Sequence, residues 1–310
     1  MKLWSKDKTS TAAQIETFTV GRDRDFDVQM AGFDVEGSIA HVTMLGEQGL
    51  MSKEQADLAV AELKNILTTI EAGQFSIDAG AEDIHSQIEF MLTERIGDVG
   101  KMIHTGRSRN DQVAVDIKLF LRSSIIEIKD DMQSLFDLLI QKSNQHKDTL
   151  IPGYTHLQIA MPSSIGLWLG AYAESLVDDM EFVAAAFKVV NKNPLGSGAG
   201  YGSSFPLNRS RTTALLHFNA LNYNAVYAQM SRGKTEKLTA MALSSVAATL
   251  SRLAMDCCLF MGQNFGFIHF PDELTTGSSI MPHKKNPDVF ELIRGKCNRI
   301  QAVPNELTLL

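Results

Sequence analysis

The chain has 310 residues, 44% of them hydrophobic, enough to bury a sizeable core and to leave room for two domains or for one with a long extension. Its 36 acidic and 29 basic residues give a net charge of -7 with no marked run of lysine or arginine. That balance argues against a nucleic-acid footprint or a basic membrane face and favours small-molecule chemistry.

The first residues, MKLWSKDKTSTAAQ, lack the apolar core of a signal peptide, and no apolar run reads as long enough to span a bilayer, so a soluble cytoplasmic protein is expected. Ser52 and Gln55 form a capping-box pattern before a helix that carries Leu63, Ile66, Leu67 and Ile70 and ends near Gly73. Further on, Leu121, Ile125, Ile128, Met132, Leu135 and Leu139 step by three and four, as do Leu243, Val246, Leu250, Leu253, Cys257 and Phe260. Both series predict long bundle helices, the second over about 233–261 and about 43 Å in length. Alternating β-branched strands are scarce, and prolines fall at junctions such as Ile151-Pro152-Gly153 and Asn193-Pro194. The fold class is all-α, with a small helical domain over 1–108 and a long-helix bundle over 109–310. The three cysteines, Cys257, Cys258 and Cys297, have no metal-like spacing and read as reduced structural residues.

Polar residues gather in segments that break or begin these helices: Glu82 to His85, His104 to Gln112, Pro152 to Gln158, Pro194 to Ser204 and Thr276 to Asp288. Free N–H groups at helix starts, with Arg107, Arg109, Lys284 and Lys285, suit an anionic ligand such as a polycarboxylate. Each segment alone also has a structural reading. His156 could be a satisfied histidine at a helix start, Ser278 and Ser279 an N-cap or turn, and Arg107 to Asp111 a solvated charge cluster. The glycines at 196, 198, 200 and 202 lack nucleotide-loop spacing and read as a tight turn or close packing.

Taken in order, the motifs resemble the fumarase/aspartase superfamily, along essentially the whole chain. The segment Gly277 to Asp288, GSSIMPHKKNPD, resembles its signature loop, while Gly106 to Gln112, GRSRNDQ, and Tyr154 to Gln158, YTHLQ, resemble the argininosuccinate lyases and related δ-crystallins. The resemblance implies β-elimination of arginine from argininosuccinate to leave fumarate, with Ser278 as base, His156 as acid and Glu291 in relay with His156. It further implies that Lys284 and Asn286 hold carboxylates, that Ser108, Arg109, Asn110 and Thr155 hold other polar groups, and that Asp83 and His85 line the pocket. No cofactor and no metal is expected, and the family pattern implies a homotetramer with active sites shared between subunits. His283 stands where these lyases commonly carry glutamine and adenylosuccinate lyases often carry histidine, so an adenylosuccinate-type enzyme is the rival; a non-catalytic, δ-crystallin-like protein is the other. By the same resemblance the chain stops at Leu310 inside what should be a long helix, before a downstream tyrosine, glutamine and lysine that the family uses on its substrate, so the bundle over 109–310 is expected to be incomplete and the C-terminal domain missing.

Overall fold

The computed structural model describes residues 21–78 and 80–310, so the N-terminal segment read above against a signal peptide lies outside the described residues. The principal helices are α1 (Ala31–Glu47), α2 (Lys53–Glu71), α3 (Ile84–Ile96), α4 (Arg109–Gln145), α5 (Ile165–Val190), α6 (Lys234–Met261) and α7 (Asp288–Leu309). Helices dominate, as the periodicity predicts. The Ser52–Gln55 capping box forms in both directions at the start of α2, and Gly73 follows its end with a φ of 69°.

The chain divides into two compact units, one running to Arg122 and joined by Val190–Arg232, the other comprising Ser123–Val189 and Gly233–Leu310. This differs from the expected boundary at 108/109. Helix α4 runs unbroken from Arg109, so its first turns belong to the first unit, and residues 190–232 return to that unit through contacts remote in sequence.

In the first unit α1, α2 and α3 enclose a core of Val35, Val42, Leu45, Leu63, Ile66 and Ile88, each at most 1% exposed. The glycine-rich stretch forms tight turns, with φ of 83°, 58°, 117° and 79° at Gly196, Gly198, Gly200 and Gly202, a region that glycine enters without a Cβ penalty. Arg209 braces it, donating to the Leu195 and Asn222 carbonyls at 2.9 and 2.8 Å.

In the second unit, pairs between helices fix the packing direction. Tyr172 meets Asp256, Ser175 meets Thr249 and Asp179 meets Ser245, so α5 and α6 run antiparallel. Likewise Met255 meets Arg294 and Ser251 meets Asn298, so α6 and α7 are antiparallel. The predicted seams are buried or half-buried, but on α6 the fully buried stripe is set by small residues, Ala242, Ala247 and Ala254 beside Val246 and Cys257, which let neighbouring backbones approach. By length and composition α6 could cross a membrane, contrary to the expectation that no segment could. Its Thr249 and Ser245 hydroxyls instead satisfy the buried Asp179 carboxylate of α5, the behaviour of an internal bundle helix.

Two local expectations are corrected. Residues 150–164 are not a helix start but an antiparallel hairpin, β1 (Leu150–Thr155) and β2 (Gln158–Ser164), with a bulge at Gly153/Tyr154. The prolines are not confined to junctions: Pro152 and Pro162 face each other in this hairpin, where bulge and edge positions tolerate a missing N–H, and Pro304 lies inside α7. All three cysteines are free, and burial pushes the Cys257 thiol up to about 12, which keeps it protonated and unreactive.

Candidate active site

The expected site residues fall into three groups. The first lies in the first unit. Asp83 caps α3, its carboxylate accepting from Ser86 N–H at 2.8 Å and from Arg109 Nη1 at 2.9 Å. Ser108 Oγ accepts from the Asn110 side chain at 3.2 Å, and Arg232 donates to Asn110 Oδ1 at 3.3 Å. The segment holding Arg107 to Asp111 is not a solvated cluster. Arg107 is 8% exposed and Asp111 0%. Asp111 accepts from the N–H groups of Ser108, Gly196 and Gly198 at 2.8, 2.8 and 3.0 Å, thereby tying the start of α4 to the glycine turns.

Behind this surface sits a cluster that the sequence reading missed. His85 Nδ1 lies 3.0 Å from Asp34 Oδ1 of α1 and 3.7 Å from Asp116 Oδ2 of α4, all three buried. Gln112 donates to Asp34 at 2.6 Å. Burial alone would raise the Asp34 carboxyl, but the charge and hydrogen bond of His85, then Arg107 and Gln112, bring it down to about 2. Burial, followed by the neighbouring Asp34 charge, pushes Asp116 well above the usual carboxylate range. Their ligand atoms lie within 4.8 Å of one another, so the fold gives His85 a metal-like spacing that sequence spacing did not suggest. The Asp34 hydrogen bond already occupies Nδ1, and the buried Arg107 cation stands beside both carboxyls, which disfavours a second cation. His85 and Asp116 open onto a cavity of about 230 Å³ also lined by Asp23, Asp27, Glu82 and Asp83. Nearby, burial followed by Arg107 and Arg109 pushes His104 down to about 4.

The second group is the hairpin tip. Thr155 pairs with Gln158 across a two-residue turn made of His156 and Leu157, whose φ values are 52° and 59°. A turn with both central residues at positive φ suits the twist of a hairpin but normally recruits glycine or asparagine. A histidine and a leucine held there carry backbone strain, a feature that clusters at functional sites. Thr155 and His156 are both exposed.

The third group is the loop between α6 and α7. Thr276–Gly277 and Lys285–Asn286 pair as two short antiparallel strands, closing a loop whose residues are mostly exposed. Ser278 Oγ accepts from the N–H groups of Met281 and Ile280 at 3.2 and 3.4 Å, so the loop's own backbone points two donors at the oxygen that would become anionic on deprotonation. Asn286 donates to Thr276 Oγ1 at 3.2 Å, and Lys285 pairs with Asp272. His283, Lys284, Asn286 and Glu291 line one cleft of about 470 Å³ beside Cys258. Among the described residues His156 makes no hydrogen bond or ion pair with Ser278 or Glu291, so the implied His156–Glu291 relay is not formed inside one copy.

Residues 8–302 match the lyase family. The chain is 60% identical to an argininosuccinate lyase of Bacteroides thetaiotaomicron over 309 residues, spanning all of this chain and 69% of that protein. Among solved structures, EDDS lyase in complex with formate superposes with a TM-score of 0.80 at 26% identity, covering 98% of this chain and 61% of that one. A class II fumarase from Schistosoma mansoni shares the fold with a TM-score of 0.76 at 17% identity, covering 89% and 66%. Long antiparallel helices carrying a serine loop and a histidine hairpin thus define a helical lyase of the fumarase/aspartase class. The chain belongs to the lyase family, in the branch of the argininosuccinate lyases.

Proposed function

We propose that this chain carries the catalytic framework of an argininosuccinate lyase, cleaving argininosuccinate to L-arginine and fumarate. The observation that carries the reading is the 60% identity over the whole chain, together with the presentation of the histidine and serine motifs on exposed loops. Ser278, its oxygen already facing two N–H donors, takes the proton from the carbon beside a succinyl carboxylate. The electrons of that C–H bond form the double bond of fumarate, the neighbouring C–N bond breaks, and its pair leaves on nitrogen. His156 supplies the proton that the departing nitrogen takes up. Lys284 and Asn286 bind carboxylates, His283 lies in the same cleft, and Arg109, Ser108, Asn110 and Thr155 bind the remaining polar groups.

Because His156 makes no hydrogen bond with Ser278 or Glu291 inside one copy among the described residues, the reading includes a cytoplasmic homotetramer in which neighbouring copies complete each site. Exposed apolar side chains support it: Ile126 and Leu138 on α4, Val177 and Phe182 on α5, Met241 on α6 and Leu292 on α7. The test is fumarate release, followed as ultraviolet absorbance, with argininosuccinate and adenylosuccinate offered separately to the purified protein. Turnover of argininosuccinate is expected. Preference for adenylosuccinate would make His283 a specificity residue for the rival reaction, and turnover of neither would favour the non-catalytic reading.

A further inference from the structure

The buried polar atoms around His85 do not balance if every carboxyl is ionised. Asp116 is 1% exposed, yet both its oxygens lack a hydrogen-bond partner, and so does Asp34 Oδ2. A buried carboxylate without a donor is costly, and such groups are rare. The two carboxyls lie within hydrogen-bonding reach of each other, so one added proton lessens the deficit: a protonated Asp116 donates to Asp34, two of the three orphaned oxygens satisfy each other, and one Asp116 oxygen is left. The charges then also come closer to balance, because the buried Arg107 cation, anchored on Ser38 at 3.0 Å, faces one carboxylate fewer.

We propose that Asp34 and Asp116 share one proton, and that this acid pair is a positioning device holding His85 as an Nδ1–H donor to Asp34 with its Nε2 left for the acidic cavity. The geometry carries it. Asp34 Oδ1 takes the His85 Nδ1 hydrogen at 3.0 Å, while Gln112 locks the same oxygen from α4 at 2.6 Å. The other charged groups around His85 are Arg107, Arg109, Asp27, Asp83 and His104, with Asp23 and Glu82 on the cavity that it lines. Fixing one nitrogen of a histidine by a carboxylate sets which nitrogen meets a ligand. The shared proton stands on the geometry alone; its importance for turnover rests on the elimination proposed above.

Infrared spectra of protein labelled with 13C at the aspartate carboxyls test the proton directly. A protonated-carboxyl band at neutral pH is expected, lost in Asp116→Asn, along with an 15N spectrum showing His85 protonated at Nδ1. Asparagine can donate to Asp34 as the acid does, so Asp116→Asn keeps kcat within about twofold. Asp116→Ala and Asp34→Asn lose roughly tenfold or more, the scale of losing a histidine's orienting partner. Absence of the band from wild-type protein, or a stoichiometric divalent metal by elemental analysis, overturns the shared proton and needs no variant to fold. If the band is present but folded Asp116→Asn is as impaired as Asp116→Ala, the positioning role is wrong. If the protein proves not to be a lyase, the spectra still decide the proton.

Discussion

Removing the Asp111 carboxylate should unlock the start of α4 from the glycine turns. In Asp111→Ala the N–H groups of Ser108, Gly196 and Gly198 lose an acceptor at 2.8 to 3.0 Å, in a site where Asp111 is 0% exposed. Each buried donor left unpaired costs about 1–3 kcal/mol, and bonds to a charged acceptor sit at the upper end. Local opening to water returns part of that, so a net loss of about 4 kcal/mol is expected, a large share of an ordinary domain's stability. Equilibrium denaturation in urea, followed by circular dichroism, reads it as a lower midpoint with little change in slope. Asp111→Asn should fall in between, since its amide oxygen still accepts while its NH2 faces a donor. A loss under about 1 kcal/mol for the alanine variant would refute the view that this carboxylate joins the two segments.

Burial, then Arg107, pushes His41 down to about 3 from the ordinary 6.5, so as pH falls the unfolded chain takes up the proton first and stability is lost through the window from 6.5 towards 3. Asp116 titrates in the opposite sense, so the comparison is with His41→Asn: wild-type protein should lose about 2 kcal/mol more than the variant between about pH 7 and about pH 5, measured by urea midpoints. A Cβ on Gly166 would lie 2.5 Å from the Ser143 carbonyl and 2.6 Å from Lys147 Cα, so Gly166→Ala should destabilise by about 2 kcal/mol in the same assay, and a neutral result would mean that α5 can move away from α4 there.

Local signals in the sequence are legible where they are self-contained. Ser52 and Gln55 satisfy each other within one turn, and the long apolar series need only lateral neighbours, so capping box and bundle helices were legible. The hairpin was not, because its turn uses His156 and Leu157 at positive φ in place of glycine, and its strands contain facing prolines and few β-branched residues. Nor was the division into units, since the return of 190–232 depends on distant contacts such as Arg122 with the Leu216 carbonyl at 2.8 Å. Motif order brought forward His85, Asp83 and Arg109. The residues that hold His85, Asp34 and Asp116, are single acids on apolar helix faces; only that mismatch, a charge such as Asp34 between Phe33 and Val35, could have flagged them.

Under the proposed mechanism His156 and Ser278, not bonded to each other within one chain, act together across copies. Mixing two inactive proteins, His156→Asn and Ser278→Ala, under conditions that exchange subunits, and then assaying fumarate release, tests it most directly. Hybrids would contain some sites with both groups intact, so partial recovery of activity is predicted. Hybrids shown by mass spectrometry to have formed, yet with no activity above either parent, would contradict the shared site.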